Sequence, residues 1–385
     1  MTSPDSSLRT SPTTHVSAYY LPQFHPIPEN DTWWGPGFTE WTNVAKARPL
    51  YPKHRQPKLP GALGFYDLRT PETKIAQADL AREAGVSAFA YWHYWLAGRQ
   101  ILERPAQDLL RTKEPDFPFY FAWANESWTG HWHGLAKAML LEQTYPGVDD
   151  DRKHFEYVEP FFHDSRYLRI EGRPVFSIYK PGRHPSLSAM MDRWHAWATA
   201  SGLPGIYWVG QVDAVDNLQA IGDQMDRIHF NPQQYWAPLF GVPGRLLHWA
   251  RMPRLIDARK TASRLEKSLK ANPILAPCVV PDWDNTPRSQ RRGLVMLHNS
   301  KAAFGAQLDV AFDHERARMN RTGKDGLVVV KSWNEWAEGN CLEPGGTWGT
   351  SYLDALREAT YRSAAGAAMD VPLSSHSDTN QPRNA

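Results

Sequence analysis

Eight short apolar runs, rich in β-branched and aromatic residues and mostly separated by helix-like segments, constrain the fold more than any other feature of this chain. They extend from Val16 to Phe24, Val86 to Trp95, Phe119 to Glu126, Pro174 to Lys180, Ile206 to Val212, Arg227 to Asn231, Ile274 to Pro281 and Gly326 to Trp333. Between them, Thr70-Pro71-Glu72 opens a helix that Gly85 closes. Further helices are expected from about Leu187 to Ser201 and from Ala302 to Asn320. Strands alternating with helices pair in parallel through right-handed crossovers, and eight of them imply an α/β fold closed as a (β/α)8 TIM-type barrel. An open doubly wound sheet is the alternative. No Gly-x-Gly-x-x-Gly turn or Walker sequence follows any run, so nothing signals a nucleotide at a switch point.

A chain of 385 residues, 42% of them hydrophobic, can fill one such core. Residues 15–366 are therefore read as a single catalytic barrel, with the long Trp-, Pro- and Gly-rich stretch 26–68 lying over the strand C-terminal mouth. Residues 1–14 and 367–385 are polar or small and are expected to be disordered tails. The formal net charge of +2, from 43 basic and 41 acidic residues, provides no global field to recruit nucleic acid. Cys278 and Cys341 are too few for a disulfide framework and are read as reduced thiols. The N-terminus lacks a basic and then apolar leader, and no run of 18 apolar residues occurs, so a soluble cytoplasmic protein is expected. Residues 245–270 carry eight Lys or Arg against two acidic residues and read as a solvated helix face, with weak contact to an anionic membrane surface as the alternative.

In a parallel barrel the chemistry lies just beyond the strand ends. Here those ends present Tyr19, Tyr20, Gln23 and His25, then His93 and Tyr94, then Trp123, Asn125, Glu126 and Trp128. Asp282, Trp283 and Asp284 follow the seventh run, Trp333, Asn334, Glu335, Trp336 and Glu338 the eighth, and Trp41 comes from the long loop. The chain has 17 Trp beside 15 Tyr and 15 Phe, more than packing alone requires, and flat rings suit the apolar faces of sugars. Rings, amides and carboxylates without a cationic cluster fit a neutral polyhydroxylated ligand, so an oligosaccharide or polysaccharide is the expected partner. Any one of these rings, taken singly, reads more readily as core, but five strand ends of the same character together favour a ligand.

Glycosidic bond cleavage needs one carboxylic acid for the leaving oxygen and a second carboxylate for its nucleophile or the developing charge. Glu335 and Glu338 supply such a pair if the segment turns like a helix, since a spacing of three puts both on one face. Burial among tryptophans and mutual repulsion would then keep one of them protonated near neutral pH. Glu126 with Glu335 is a competing pair, and a helix-starting Glu beside an ion-paired one is the purely structural alternative. Asp282 and Asp284 are expected to bind hydroxyls, with a cation as the other option. His131, His133 and His93 lack a metal-ligand spacing, so neither metal nor other cofactor is expected.

The strings Tyr19-Tyr20-Leu21-Pro22-Gln23-Phe24-His25-Pro26, Trp33-Trp34-Gly35-Pro36-Gly37-Phe38-Thr39-Glu40-Trp41-Thr42-Asn43-Val44, Trp123-Ala124-Asn125-Glu126 and Trp333-Asn334-Glu335-Trp336-Ala337-Glu338-Gly339 together resemble the WbsX family. That family is found with bacterial surface-polysaccharide genes, is often labelled glycosyltransferase, and is related to family 99 of the glycoside hydrolases. Family 99 enzymes are retaining endo-α-mannosidases on a (β/α)8 barrel, with both catalytic glutamates in an Asn-Glu-Trp-x-Glu-Gly segment. The resemblance implies that Glu335 draws the proton from the sugar 2-hydroxyl, which attacks C1 to give a 1,2-anhydro intermediate. It implies that Glu338 protonates the leaving oxygen and later activates water. Gly130, His131 and His133 depart from the family pattern after Trp128, and Trp92 stands where a tyrosine is usual. The expected function is a retaining glycoside hydrolase or transglycosylase acting on an α-linked bacterial polysaccharide, mannan-like or rhamnan-like. A glycosyltransferase of O-antigen or capsule synthesis and a non-catalytic glycan-binding barrel are the alternatives.

Overall fold

The structure is a computed structural model that describes residues 12–129, 139–213, 218–219, 221–239 and 252–369. Eight parallel strands form its centre: β1 Thr14–Tyr20, β2 Ala88–Leu96, β3 Phe119–Trp123, β4 Arg173–Ile178, β5 Tyr207–Val212, β6 Arg227–Phe230, β7 Cys278–Val279 and β8 Gly326–Val330. Each lies within one of the eight apolar runs or overlaps it closely. The pairing order is β6-β5-β4-β3-β2-β1-β8-β7, with every neighbour parallel. A parallel bridge between Ile228 and Leu275 joins the two ends, where the Ala276 N–H donates to the Ile228 carbonyl at 2.7 Å. The ring thus closes as a TIM-type barrel rather than opening as a doubly wound sheet.

The sequence dictates these elements locally. The strands are buried along nearly their whole length, which selects Val, Ile and aromatic residues at both inward and outward positions. Inside the barrel Tyr19 stacks on Trp92 at 4.4 Å, and the Tyr120 hydroxyl donates to Ser17 Oγ. One residue on, Tyr20 points outward and donates to Gln77 of the helix Pro71–Ala84 at 2.7 Å. That helix begins with Pro71 and ends at Gly85, which has a φ of 87° and packs so closely on Thr360 that a Cβ would lie 2.8 Å from its hydroxyl. The helices Leu187–Ala200 and Lys301–Thr322 also match their expected spans closely.

The basic segment 245–270 does not form one helix. Residues 245–251 lie outside the described residues, but Arg254–Asp257 is a strand paired in parallel with Leu294–Leu297, and the helix Thr261–Ala271 follows. Ile256 is buried in a satellite cluster with Trp236, Trp283 and Met296, so this part of the segment belongs to the core. Among the described residues no helix is long and apolar enough to cross a membrane. Most of both expected tails falls outside the described residues, although the last helix, Ser351–Met369, continues past the expected start of the C-terminal tail.

The stretch 26–68 is ordered and is pinned to the loops after β7 and β8. It contains short helices Pro28–Trp34 and Glu40–Lys46. Its far end is fastened by His54 and Gln56 to Asp284, at 2.8 and 2.7 Å, and by a buried ion pair of Lys58 with Asp282. Trp41 donates to the Tyr66 carbonyl at 2.7 Å and packs on Trp336.

Candidate active site

The chain beyond β8 makes a tight hairpin. Asn334–Glu335 pairs antiparallel with Asn340–Cys341, and Trp336–Glu338 forms a single 3₁₀ turn between them. In a 3₁₀ turn residues three apart eclipse each other, so the hairpin brings Glu335 and Glu338 to one side without the α-helix that the spacing suggested. Gly339 closes the turn with a φ of 62°, and a Cβ there would come within 2.7 Å of Lys58 Nζ and 2.9 Å of the Asp284 nitrogen. The Asp284 N–H donates to the Glu338 carbonyl at 2.6 Å, so the loop after β7 braces the turn.

Both glutamates are buried and meet on one cation. Arg288 Nη1 lies 2.9 Å from Glu338 Oε1 and 3.3 Å from Glu335 Oε1, while its Nε donates to Glu40 Oε1 at 2.8 Å. Glu335 also accepts from Ser332 Oγ at 3.2 Å. Burial works against the Arg288 charge, but Glu40, Glu338 and Glu335 override it and hold the guanidinium protonated. Glu338 is pushed up to about 7, first by desolvation and then by the neighbouring Glu335, with Arg288 pulling the other way. One carboxyl of the pair therefore carries a proton through much of the neutral range.

The cavity these residues face is lined by Gln23, Tyr94, Glu126 and Trp128 from the expected set, together with Glu335 and Glu338. Gln23 donates to the Tyr94 hydroxyl at 3.1 Å, and Trp128 stands edge-on to Tyr94 at 5.2 Å. Glu126 pairs with Lys180 at 2.7 Å and Arg183 at 3.2 Å, and no ion pair joins it to Arg288. The two members of the competing carboxylate pair thus share the cavity wall but not the cation.

Thirteen expected site residues are placed elsewhere, and each has a physical reason. Tyr19 is interior to the barrel, its hydroxyl 2.8 Å from His229, and Tyr20 faces the outer helix. His25 is buried, and desolvation pulls it down to about 4. His93 contacts His154 at 2.8 Å in an apolar layer that pulls it down to about 3. Trp123 donates to the Trp95 carbonyl, and Asn125 ties its strand end to the Lys180 backbone with both amide atoms. Trp41 and Trp336 pack together under the hairpin, where Trp336 donates to Glu343 at 2.6 Å, and Trp333 packs on Phe89. Trp283 belongs to the satellite cluster. Asp282 and Asp284 stand two residues apart, a spacing that can hold a cation, but both are taken up by Lys58, His54, Gln56 and Thr286. His131 and His133 lie outside the described residues.

Asn334 accepts the Leu21 N–H at 2.7 Å and donates back to the Leu21 carbonyl at 3.1 Å, which clamps the end of β1 to this hairpin. Asn334→Ala should therefore cost about 1–3 kcal/mol of stability, read as a lowered urea midpoint with unchanged slope.

Arg288, Lys331, Glu40, Trp34, Phe38, Trp92 and Tyr179 also line the wall and were not among the expected site residues. Glu40, Trp34 and Phe38 sit in the Trp33–Val44 string that carries the family likeness. Arg288 has no such signal: it lies on a one-turn helix, Thr286–Ser289, beyond the strand end.

The family model described as Glycosyltransferase WbsX matches residues 16–356, which include every element of this cavity. The chain belongs to the WbsX family. The uncharacterized protein WxcX of two Xanthomonas campestris pv. campestris strains is 37% identical over 354 residues, covering 92% of this chain and 50% of WxcX. The chain thus spans about half the length of the curated relatives it matches. Among solved structures, a glycoside hydrolase-like protein aligns with a TM-score of 0.54 at 15% identity, covering 93% of this chain and 97% of that one. The GH99 endo-alpha-mannosidase from Bacteroides thetaiotaomicron aligns with a TM-score of 0.52 at 14% identity, covering 92% and 98%. These two likenesses concern the fold. Membership of the WbsX family places the chain among carbohydrate-active proteins.

Proposed function

We propose that this WbsX-family chain is a retaining glycoside hydrolase or transglycosylase that cleaves an α-linked polysaccharide with help from the sugar's own 2-hydroxyl. The observation that carries this reading is the convergence of the buried Glu335 and Glu338 on Arg288 at the cavity wall, with Glu338 raised to about 7. In the first step Glu335 takes the 2-hydroxyl proton, O2 bonds to C1, and the C1–O bond to the leaving sugar breaks as Glu338 donates its proton to that oxygen. In the second step Glu338, now ionised, takes a proton from water as its oxygen bonds to C1. The C1–O2 bond opens and Glu335 returns the proton to O2. Two inversions give net retention, and a sugar hydroxyl in place of water gives transfer. The structural relationship to a GH99 endo-alpha-mannosidase supports mannan-like and rhamnan-like polymers as first substrates to try.

The acid must carry its proton to act, and Glu338 loses that proton as pH rises through about 7. kcat/KM should therefore be high below that value and fall on its alkaline side, as a pH–rate profile would show. A profile with no alkaline limb in this range would remove Glu338 from the acid role.

The family description favours one second reading, a glycosyltransferase using an activated sugar. Incubation with α-mannan and rhamnan oligosaccharides beside nucleotide sugars, followed by mass spectrometry, separates the two. Shortened or re-ligated oligosaccharides without nucleotide support the hydrolase. Products formed only from a nucleotide sugar support the transferase.

A further inference from the structure

Lys331 follows β8 directly, four residues before Glu335, and lines the same cavity. It is only 6% exposed. Its ammonium lies 5.8 Å from the ring centre of Trp92 and 5.9 Å from those of Tyr179 and Trp283. Among the described residues no carboxylate forms an ion pair with it and no side chain accepts a hydrogen bond from it, although its charge pulls the proton affinity of Glu338 down. The other cation that lines this cavity, Arg288, is already engaged by three carboxylates.

An ammonium presents three N–H donors and is costly to bury without acceptors. The three rings offset part of that cost through their π faces, but they supply no acceptor atom. The Lys331 charge faces the cavity and is free to meet an acceptor on whatever enters. A lysine is a compact point charge, without the planar fork by which arginine grips phosphate in two places. A dianionic group would also leave excess negative charge facing Glu335 and Glu338. A single carboxylate would match the one charge of Lys331 and leave nothing over.

We infer that the cavity is built for an acidic sugar, whose carboxylate pairs with Lys331 while the Glu335 and Glu338 pair addresses its glycosidic bond. This rests on the carbohydrate reading above and narrows its substrate class from the neutral glycan that the sequence suggested to a uronic-acid-bearing one. Lys331 is then the residue that selects the substrate.

The test uses the whole chain and α-linked disaccharides matched in pairs that differ only at C6, a hydroxymethyl in one and a carboxylate in the other. Mannosyl and mannuronosyl pairs in several α-linkages, whose C1 oxygen is trans to O2 as the 2-hydroxyl-assisted route requires, are titrated calorimetrically against wild type, Lys331→Met and Lys331→Arg. The acidic member of at least one pair should bind wild type more tightly than its neutral twin. Lys331→Met should weaken the acidic member by roughly 30-fold or more and leave the neutral one nearly unchanged, while Lys331→Arg keeps the preference. Unchanged thermal unfolding of the wild type and variants shows that the fold is intact, and an unfolded Lys331→Met variant leaves the matched pairs on wild type and Lys331→Arg to decide. Equal binding of both twins by wild type overturns the inference. Equal weakening of both by Lys331→Met also overturns it, because Lys331 would then serve a hydroxyl. So does a variant that keeps the acid preference and only moves the alkaline limb of Glu338. Failure of every sugar to bind wild type overturns the carbohydrate reading itself, a distinct result.

Discussion

Glu335→Gln and Glu338→Gln should each lower turnover of the true substrate by about 10²–10⁴-fold, the range spanned by a positioned acid or base. Both changes keep the size of the side chain and its hydrogen bond from Arg288, so the fold should survive, and far-UV circular dichroism would show it. The two variants should differ in how they are rescued. A glycosyl fluoride or nitrophenyl glycoside departs without needing a proton, so Glu338→Gln should recover much of its first-step rate on such substrates. Glu335→Gln should not, because the 2-hydroxyl still has to be deprotonated to attack. Near-wild-type turnover by either variant would show that the pair is structural. The opposite rescue pattern would exchange the two roles.

Arg288→Met should be the most destabilising single change in the cavity, costing about 3–5 kcal/mol, because it leaves Glu40, Glu335 and Glu338 buried without their shared cation. The sign with pH follows from linkage. Without the guanidinium these carboxylates take up protons more readily folded than unfolded, so the folded state binds more protons and stability falls as pH rises. The deficit should be largest above about pH 7, where wild-type Glu338 itself ionises, and should shrink as pH falls toward the ordinary carboxylate range. Urea unfolding at several pH values reads this directly. A deficit that is flat with pH would show that Arg288 contributes packing rather than charge. Activity should fall as well, since Arg288 sets the relative orientation of the two glutamates.

The barrel was legible because its signal is local and repeated. A run such as Val86 to Trp95 is apolar on both faces, which only a buried parallel strand tolerates, and the eight such runs each became a strand. The basic segment misled because charge density outweighed the short apolar pair Leu255-Ile256, whose strand character depends on a distant partner at Leu294–Leu297. The same limit governs the aromatics. Tyr19 and Tyr20 are adjacent and chemically alike, yet one fills the barrel and the other packs under a helix, because neighbouring strand residues point to opposite faces. Trp333, Trp336 and Trp283 could not be told from Trp128 by type, and only Trp128 reaches the cavity.

What the sequence determined alone was a periodicity and a spacing: eight buried strands, and two glutamates three residues apart beyond the last one. Those follow from contacts a few residues long. The tertiary structure decided that a 3₁₀ hairpin brings Glu335 and Glu338 together, that Arg288 and Glu40 join them from segments 248 positions apart in the chain, and that the cavity is not free of cations. Burial, ion pairing and a raised proton affinity are properties of that assembled space. They arise only when charges remote in sequence are brought together out of water, where each contact is strong enough to set the state of its neighbour.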